Sequence, residues 1–201
     1  TMDANAFGYQ FDPIGNRQTS TKNALQKIYT VNSLNQYTQI TNGGLVTLAY
    51  DLDGNLTNDS IFAYSWDAEN RMTKAEPLNL TNGAKRVRNV YDYMSRRVEK
   101  DVDEWSGSDW GSVSTNKFGW DGWNVIQETQ VSGLSTQVSS YVWGLDLSGT
   151  LQGAGGIGGL LSQVTGTNIY MPFCDANGNI CDVDEIPPTG PPTPVAHFEY
   201  S

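Results

Sequence analysis

One histidine, His197, and two cysteines, Cys174 and Cys181, are all that 201 residues offer of these side chains. A single imidazole excludes two- and three-histidine metal sites, and it leaves one Ser/His/Asp combination with its base near the last residue. Two cysteines allow one disulfide but no disulfide scaffold, and zinc finds none of its usual ligand spacings. No apolar run approaches the roughly 18 residues of a membrane helix. Residues 1–20 lack the basic start and apolar centre of a signal peptide. Cations are also scarce: Lys+Arg 12 against Asp+Glu 22 leaves a net charge of −10. That excess repels phosphate backbones and argues against DNA and RNA as partners. No Gly-Lys-Ser/Thr follows a glycine-rich stretch, which excludes a P-loop. These absences predict no catalysis, no cofactor and no metal.

What remains is globular in composition, with 38% apolar and 17% charged residues, and it is rich in Gly (21), Tyr (10) and Trp (6). Asn42-Gly43, Asp53-Gly54, Asn82-Gly83, Asp121-Gly122 and Asn177-Gly178 are pairs that tolerate the positive φ of a tight hairpin turn. Between them lie short β-branched or aromatic runs: Leu45 to Tyr50, Ile61 to Trp66, Arg86 to Tyr93, Arg97 to Val102, Phe118 to Trp120 and Val138 to Trp143. The expectation is an all-β chain of twisted antiparallel β-hairpins, one region over 1–201. The polar segment 104–116 reads as a loop, and 182–194, with five of the eight prolines, reads as a Pro-rich loop insertion. One stretch reads otherwise. Ala24, Leu25 and Ile28 are spaced for one side of a helix and Thr21 could cap it, which predicts a helical turn or two over Asn23 to Tyr29.

The strongest internal signal is a repeat: an aromatic residue, then Asp, then Gly or another turn former, then Asn or Arg. It occurs at Phe11-Asp12 with Gly15 and Asn16, at Tyr50-Asp51 with Gly54 and Asn55, at Trp66-Asp67 with Asn70 and Arg71, and at Tyr91-Asp92 with Ser95 and Arg96. Trp120-Asp121-Gly122 is a shortened copy, and Cys174-Asp175 with Gly178 and Asn179 is a variant. Asn35 to Ile40 and Tyr141 to Asp146 stand where two further copies would fall, the latter including Trp143. The physical reading is that the aromatic ends a strand, Asp accepts backbone N–H bonds through the turn, and Gly takes the left-handed position. Tyr50, Trp66, Tyr91, Trp120 and Trp143 are then expected to be largely buried. A lone hairpin is too small to be stable, so successive hairpins must pair edge to edge, leaving open edges prone to association.

These residues resemble the RHS or YD-repeat proteins of bacterial polymorphic toxins, insecticidal toxin complexes and animal teneurins. The repeat is similar to that family's YDxxGN or YDxxGR signature, and Tyr50 to Met72 reads like two consecutive copies. Tyr141 to Gly149, leading into Gly153 to Leu161, looks like the late part of the RHS core. The resemblance implies a segment of a spiralling β-sheet shell that encloses or presents a C-terminal toxin or other cargo, beside neighbouring repeats of a longer parent chain. It also implies a secreted or cell-surface bacterial protein. The family's core-end self-cleavage motif has no counterpart before Ser201, so no cleavage residue carries over.

Other signals have plainer readings. Gly153, Gly155 and Gly158 satisfy GxGxxG but lack a βαβ setting, so close backbone packing explains them better than a dinucleotide. Asp51, Asp53, Asn55 and Asp59, and Asp175, Asn177 and Asn179, resemble pieces of a calcium loop without its Gly and terminal Glu; turn chemistry explains them. Pro188 to Pro194 contains PxxP and reads as a stiff exposed loop. Cys174 and Cys181 are symmetric about Asn177-Gly178, so a two-residue turn would place them opposite each other, either bridged or as free thiols. Trp105 and Trp110, in the expected loop, are candidates for exposed contacts, which gives an alternative function as an adhesion or glycan-binding β-module.

Overall fold

The computed structural model describes residues 6–200, which form strands and turns with no helix among them. Within each sheet the strands hydrogen-bond in chain order. Two compact units divide the chain. Among the described residues, the first comprises 6–88 with Trp105–Asp109, the second Asn89–Glu104 with 110–200.

In the first unit, β1 (Phe7–Phe11), β2 (Arg17–Lys22), β3 (Leu25–Val31), β4 (Tyr37–Thr41) and β5 (Leu45–Thr47) form an antiparallel meander. β6 (Ala49–Tyr50), β7 (Leu56–Asn58), β8 (Phe62–Trp66) and β9 (Met72–Pro77) form another, leading into β10 (Lys85–Tyr91). The helical turn expected over Asn23 to Tyr29 is strand. Asn23, at φ 55°, and Ala24 make a two-residue hairpin turn that pairs Lys22 with Leu25. Leu25, Lys27, Tyr29 and Val31 then alternate with Gln26, Ile28 and Thr30. The i, i+3 spacing of Leu25 and Ile28 was outweighed by ladder bonds on both sides of β3.

From Arg97 on, β11 (Arg97–Trp105), β12 (Trp110–Asp121), β13 (Asn124–Ser132), β14 (Ser135–Trp143), β15 (Leu160–Thr165), β16 (Asn168–Cys174), β17 (Ile180–Ile186) and β18 (Thr193–His197) follow. Two-residue turns at Gly122-Trp123, Gly133-Leu134 and Gly166-Thr167 close three of the hairpins, each with its glycine at positive φ.

Both expected loops are shorter than the sequence suggests. Of 104–116 only residues 106–109 are outside strands, because Ser106 N bonds Asp109 O at 2.9 Å and closes the turn tightly. Of 182–194, residues 182–186 are in β17 and 193–194 in β18. The prolines Pro187, Pro188, Pro191 and Pro192 fall in the turn, while Pro194 sits on the terminal strand at a bulge opposite Asp184.

The expected burial of aromatics also needs correction. Tyr50, Trp66, Tyr91, Trp120 and Trp143 are half-buried, and no hydrophobic residue among those described is fully buried. Their cover comes from cross-strand neighbours. The buried side chains are polar: Asn89, Asp103, Asn124, Ser139 and Asp146.

Candidate functional site

The repeat aspartates build one turn over and over. Asp51 Oδ1 accepts from Asp53 N (3.0 Å) and Asn55 N (2.8 Å), and Oδ2 accepts from Asn55 Nδ2 (3.0 Å). The main chain closes from Asp51 N to Asn55 O and from Gly54 N to Asp51 O. Asp12 and Asp175 make the same set, with Asn16 and Asn179 in the role of Asn55. At Asp67 and Asp92 an arginine replaces the amide, Arg71 Nε and Arg96 Nε each donating at 2.8 Å. The residue three after each Asp has a positive φ: Gly15 (96°), Gly54 (88°), Asn70 (60°), Ser95 (62°) and Gly178 (80°).

The carboxylates are correspondingly acidic. The side-chain amide at the fourth position, helped by backbone N–H groups, lowers Asp12, Asp51 and Asp175. At Asp67 and Asp92 burial pushes upward, but bonds from Arg71 and Arg96 and from the backbone outweigh it.

Two further copies escape the strict motif. Asn32 replaces Asp: its Oδ1 accepts from Leu34 N and Gln36 N, and Asn35 holds φ 65°. Asp146 is the other, with its main chain closed to Thr150 O and Gly149 at φ 75°. They lie at Asn32 to Gln36 and Asp146 to Thr150, beside the expected windows; relaxing Asp to Asn and Gly to Asn finds the first. Asp121 is no such turn. It ends β12 opposite Asn124, and the chain reverses through Gly122 and Trp123. Side chains from other turns brace this shortcut: Arg96 Nη1 donates to Gly122 O, and Gln152 bonds both Asp121 O and Trp123 N.

Asp146 organises the glycine-rich loop between β14 and β15. Its carboxylate accepts from Ser148 N (2.9 Å), Ser148 Oγ (2.6 Å), Ala154 N (2.7 Å) and Gly156 N (3.2 Å), and it is 6% exposed. The Ser148 hydroxyl first, then these backbone donors, hold its pKa at about 2. The backbone cradle of the GxGxxG stretch is therefore filled by the chain's own anion.

The aromatic before each Asp has a second task. A bulge pairs it with the fifth residue after Asp: Phe11 with Arg17, Tyr50 with Leu56, Trp66 with Met72. The polar end of a following aromatic then reaches a carbonyl at such a fifth position. Tyr50 Oη donates to Tyr37 O (2.9 Å), Trp66 Nε1 to Leu56 O (2.8 Å), Trp120 Nε1 to Arg97 O (3.1 Å), and Tyr200 Oη to Ile180 O (2.8 Å). Trp143 Nε1 similarly caps Val125 O at 2.7 Å. Tyr or Trp is needed there because phenylalanine has no donor.

The same bulge separates the cysteines. Cys174 pairs with Ile180, not Cys181, because Asp175 captures a five-residue turn where a two-residue turn would have made the sulfurs opposite; both cysteines are free. Burial, then Cys181 and Asp175, push the Cys174 thiol upward. Trp105 and Trp110 are half-buried in strands, and Trp123 is the exposed indole, at 54%. His197 Nδ1 lies 2.7 Å from Asp182 Oδ1, its cross-strand partner on β17.

No family model matches the sequence. The chain is 27% identical over 184 residues to a tRNA3(Ser)-specific nuclease WapA of Bacillus spizizenii, covering 91% of this chain and 7% of that protein. It is 31% identical over 143 residues to a tRNA nuclease WapA of Bacillus subtilis, covering 71% of this chain and 6% of that one. The chain thus spans less than a tenth of these relatives' length. Among solved structures, the pore of a Photorhabdus luminescens Tc holotoxin aligns with a TM-score of 0.45 and 13% identity, over 90% of this chain and 9% of that one.

Proposed function

We propose that this chain is a wall segment of an RHS/YD-repeat shell that wraps or presents another polypeptide segment of a secreted or cell-surface bacterial toxin, and that it performs no catalysis itself. The observation that carries this is the recurring aspartate turn, with its bulge and its aromatic-to-carbonyl bond, in antiparallel strands that follow chain order. The repeat aspartates bond the backbone and the Asn or Arg of their own turns, the chemistry of a scaffold. Resemblance to small parts of proteins named as nucleases supports the toxin context. Nuclease activity of a whole protein is assigned in this reading to segments outside the matched part. The glycan alternative rests on exposed tryptophans; Trp105 and Trp110 stand half-buried at strand ends, and Trp123 is the exposed one.

The test is to read the gene on both sides of the codons for Thr1 and Ser201 and to express its full product. The shell reading expects further repeats and a non-repeat segment that subtilisin cleaves at least ten times more slowly in the full product than alone. Equal cleavage rates overturn it.

A further inference from the structure

The acidity of the chain is unevenly spread. Of 12 basic and 22 acidic residues, three basic and two acidic fall within residues 1–48. Those three cations, Arg17, Lys22 and Lys27, line one hollow of about 330 Å³ together with Phe7, Tyr9 and Tyr29. Strand register explains the grouping. Phe7 pairs with Lys22 and Lys22 with Leu25; Tyr9 pairs with Ser20 and Ser20 with Lys27. Rings and ammonium groups thus share one face of β1 to β3 in rows about 7 Å apart.

Arg17 and Lys22 meet aromatic rings rather than carboxylates, and Phe7 and Tyr9 stay open to solvent beside them. Among the described residues, Arg17, Lys22 and Lys27 form no ion pair. Arg17 Nε is shielded from solvent without a hydrogen-bond partner, and its guanidinium lies 4.9 Å from the Tyr9 ring centre and 5.8 Å from that of Tyr29. Lys22 Nζ stands 5.8 Å from the Phe7 ring centre. The Tyr29 hydroxyl feels the same field: a bond with Ser20, then Arg17 and Lys27, hold its pKa below the usual value. Phe7 and Tyr9 are 58% and 51% exposed.

We propose that this face binds single-stranded nucleic acid, with phosphates at Lys22, Lys27 and Arg17 and bases stacked on Phe7 and Tyr9. An acidic peptide would satisfy the cations and leave the rings wet; a neutral apolar partner would do the reverse. A single strand supplies anion and flat ring at every step, and aromatic rings set among cations on a sheet face are the platform it uses. The net charge of −10 does not forbid this, because charges beyond about 8 Å are largely screened at physiological salt. This proposal stands independently of the shell reading.

The experiment is fluorescence anisotropy of the full 201-residue chain against a labelled single strand of about twelve nucleotides, an abasic strand of equal length and a polyglutamate peptide, at about 50 mM salt. The expected result is saturable binding of the base-bearing strand, at least ten times tighter than either other probe, with a log–log salt slope near −2 for three phosphates. Lys22→Gln with Lys27→Gln should weaken it at least tenfold. Tyr9→Ala should weaken the base-bearing strand alone, Tyr9→Phe should restore it, and Lys117→Gln should change affinity less than twofold. Circular dichroism checks that each variant is folded. Absence of saturable binding, or equal binding of abasic strand or polyglutamate, overturns the proposal.

Discussion

Asn55 joins two turns: its Nδ2 donates to Asp51 Oδ2 at 3.0 Å within its own turn and to Asn70 Oδ1 at 2.8 Å in the next. Asn16 bears the same relation to Asp12 and Asn35. Turns are thereby stitched along one edge of each meander, with Asn16 and Asn55 each serving both its own carboxylate and a later turn. Arg96 does likewise between Asp92 and Gly122 O.

That stitching predicts coupling. Asn55→Ala and Asn70→Ala, singly and together, should show an interaction energy of about 0.5–1 kcal/mol in urea unfolding, since each removes the same exposed bond. Additive effects would mean the bond contributes nothing.

The indole of Trp66 should matter as a donor. Trp66→Phe leaves Leu56 O without its partner and trims the ring, at an expected cost of about 1–3 kcal/mol in the same assay. A loss below about 0.3 kcal/mol would show that the carbonyl finds water at no cost.

Acid should loosen the turns. Asp146, at about 2, and Asp12, Asp51, Asp67, Asp92 and Asp175, all lowered, have folded pKa values below the unfolded value of 3.8. Their stabilisation is complete above the unfolded value and is lost as pH falls through the folded ones. The urea midpoint should therefore fall between about 4 and 2, whereas His197, whose pKa the bond with Asp182 raises, adds stability as pH drops through its folded value toward 6.5. Asp146→Asn should reduce stability at pH 7 and flatten the lower end of that fall.

Thiol titration of unfolded, unreduced protein should find two thiols per chain, since Cys174 lies opposite Ile180. Finding none would mean that the Asp175 turn rearranges to bring Cys181 opposite.

Much of this was legible because the aspartate turn is local. Asp12, Asp51, Asp67, Asp92 and Asp175 bond N–H groups within four residues of themselves, so short-range spacing suffices to find them. Partner-dependent features were not. The strand over Leu25–Val31 depends on β2 and β4 on either side, and Trp105 enters a strand by exchanging bonds with residues 83 and 84. The second role of the aromatics was hidden too, because each donates to a carbonyl 10 to 23 residues away. Asn32 was missed because the amide oxygen does the work of a carboxylate without its letter. The cationic face around Arg17 was masked by an average charge dominated by the rest of the chain.

The most direct test of the shell account is a cryo-electron microscopy structure of the full gene product. The account predicts residues 6–200 as strands of a continuous wall with polypeptide density against one face of the sheet. A structure in which both faces meet only solvent, or in which a second sheet packs on the first as a sandwich, would contradict it.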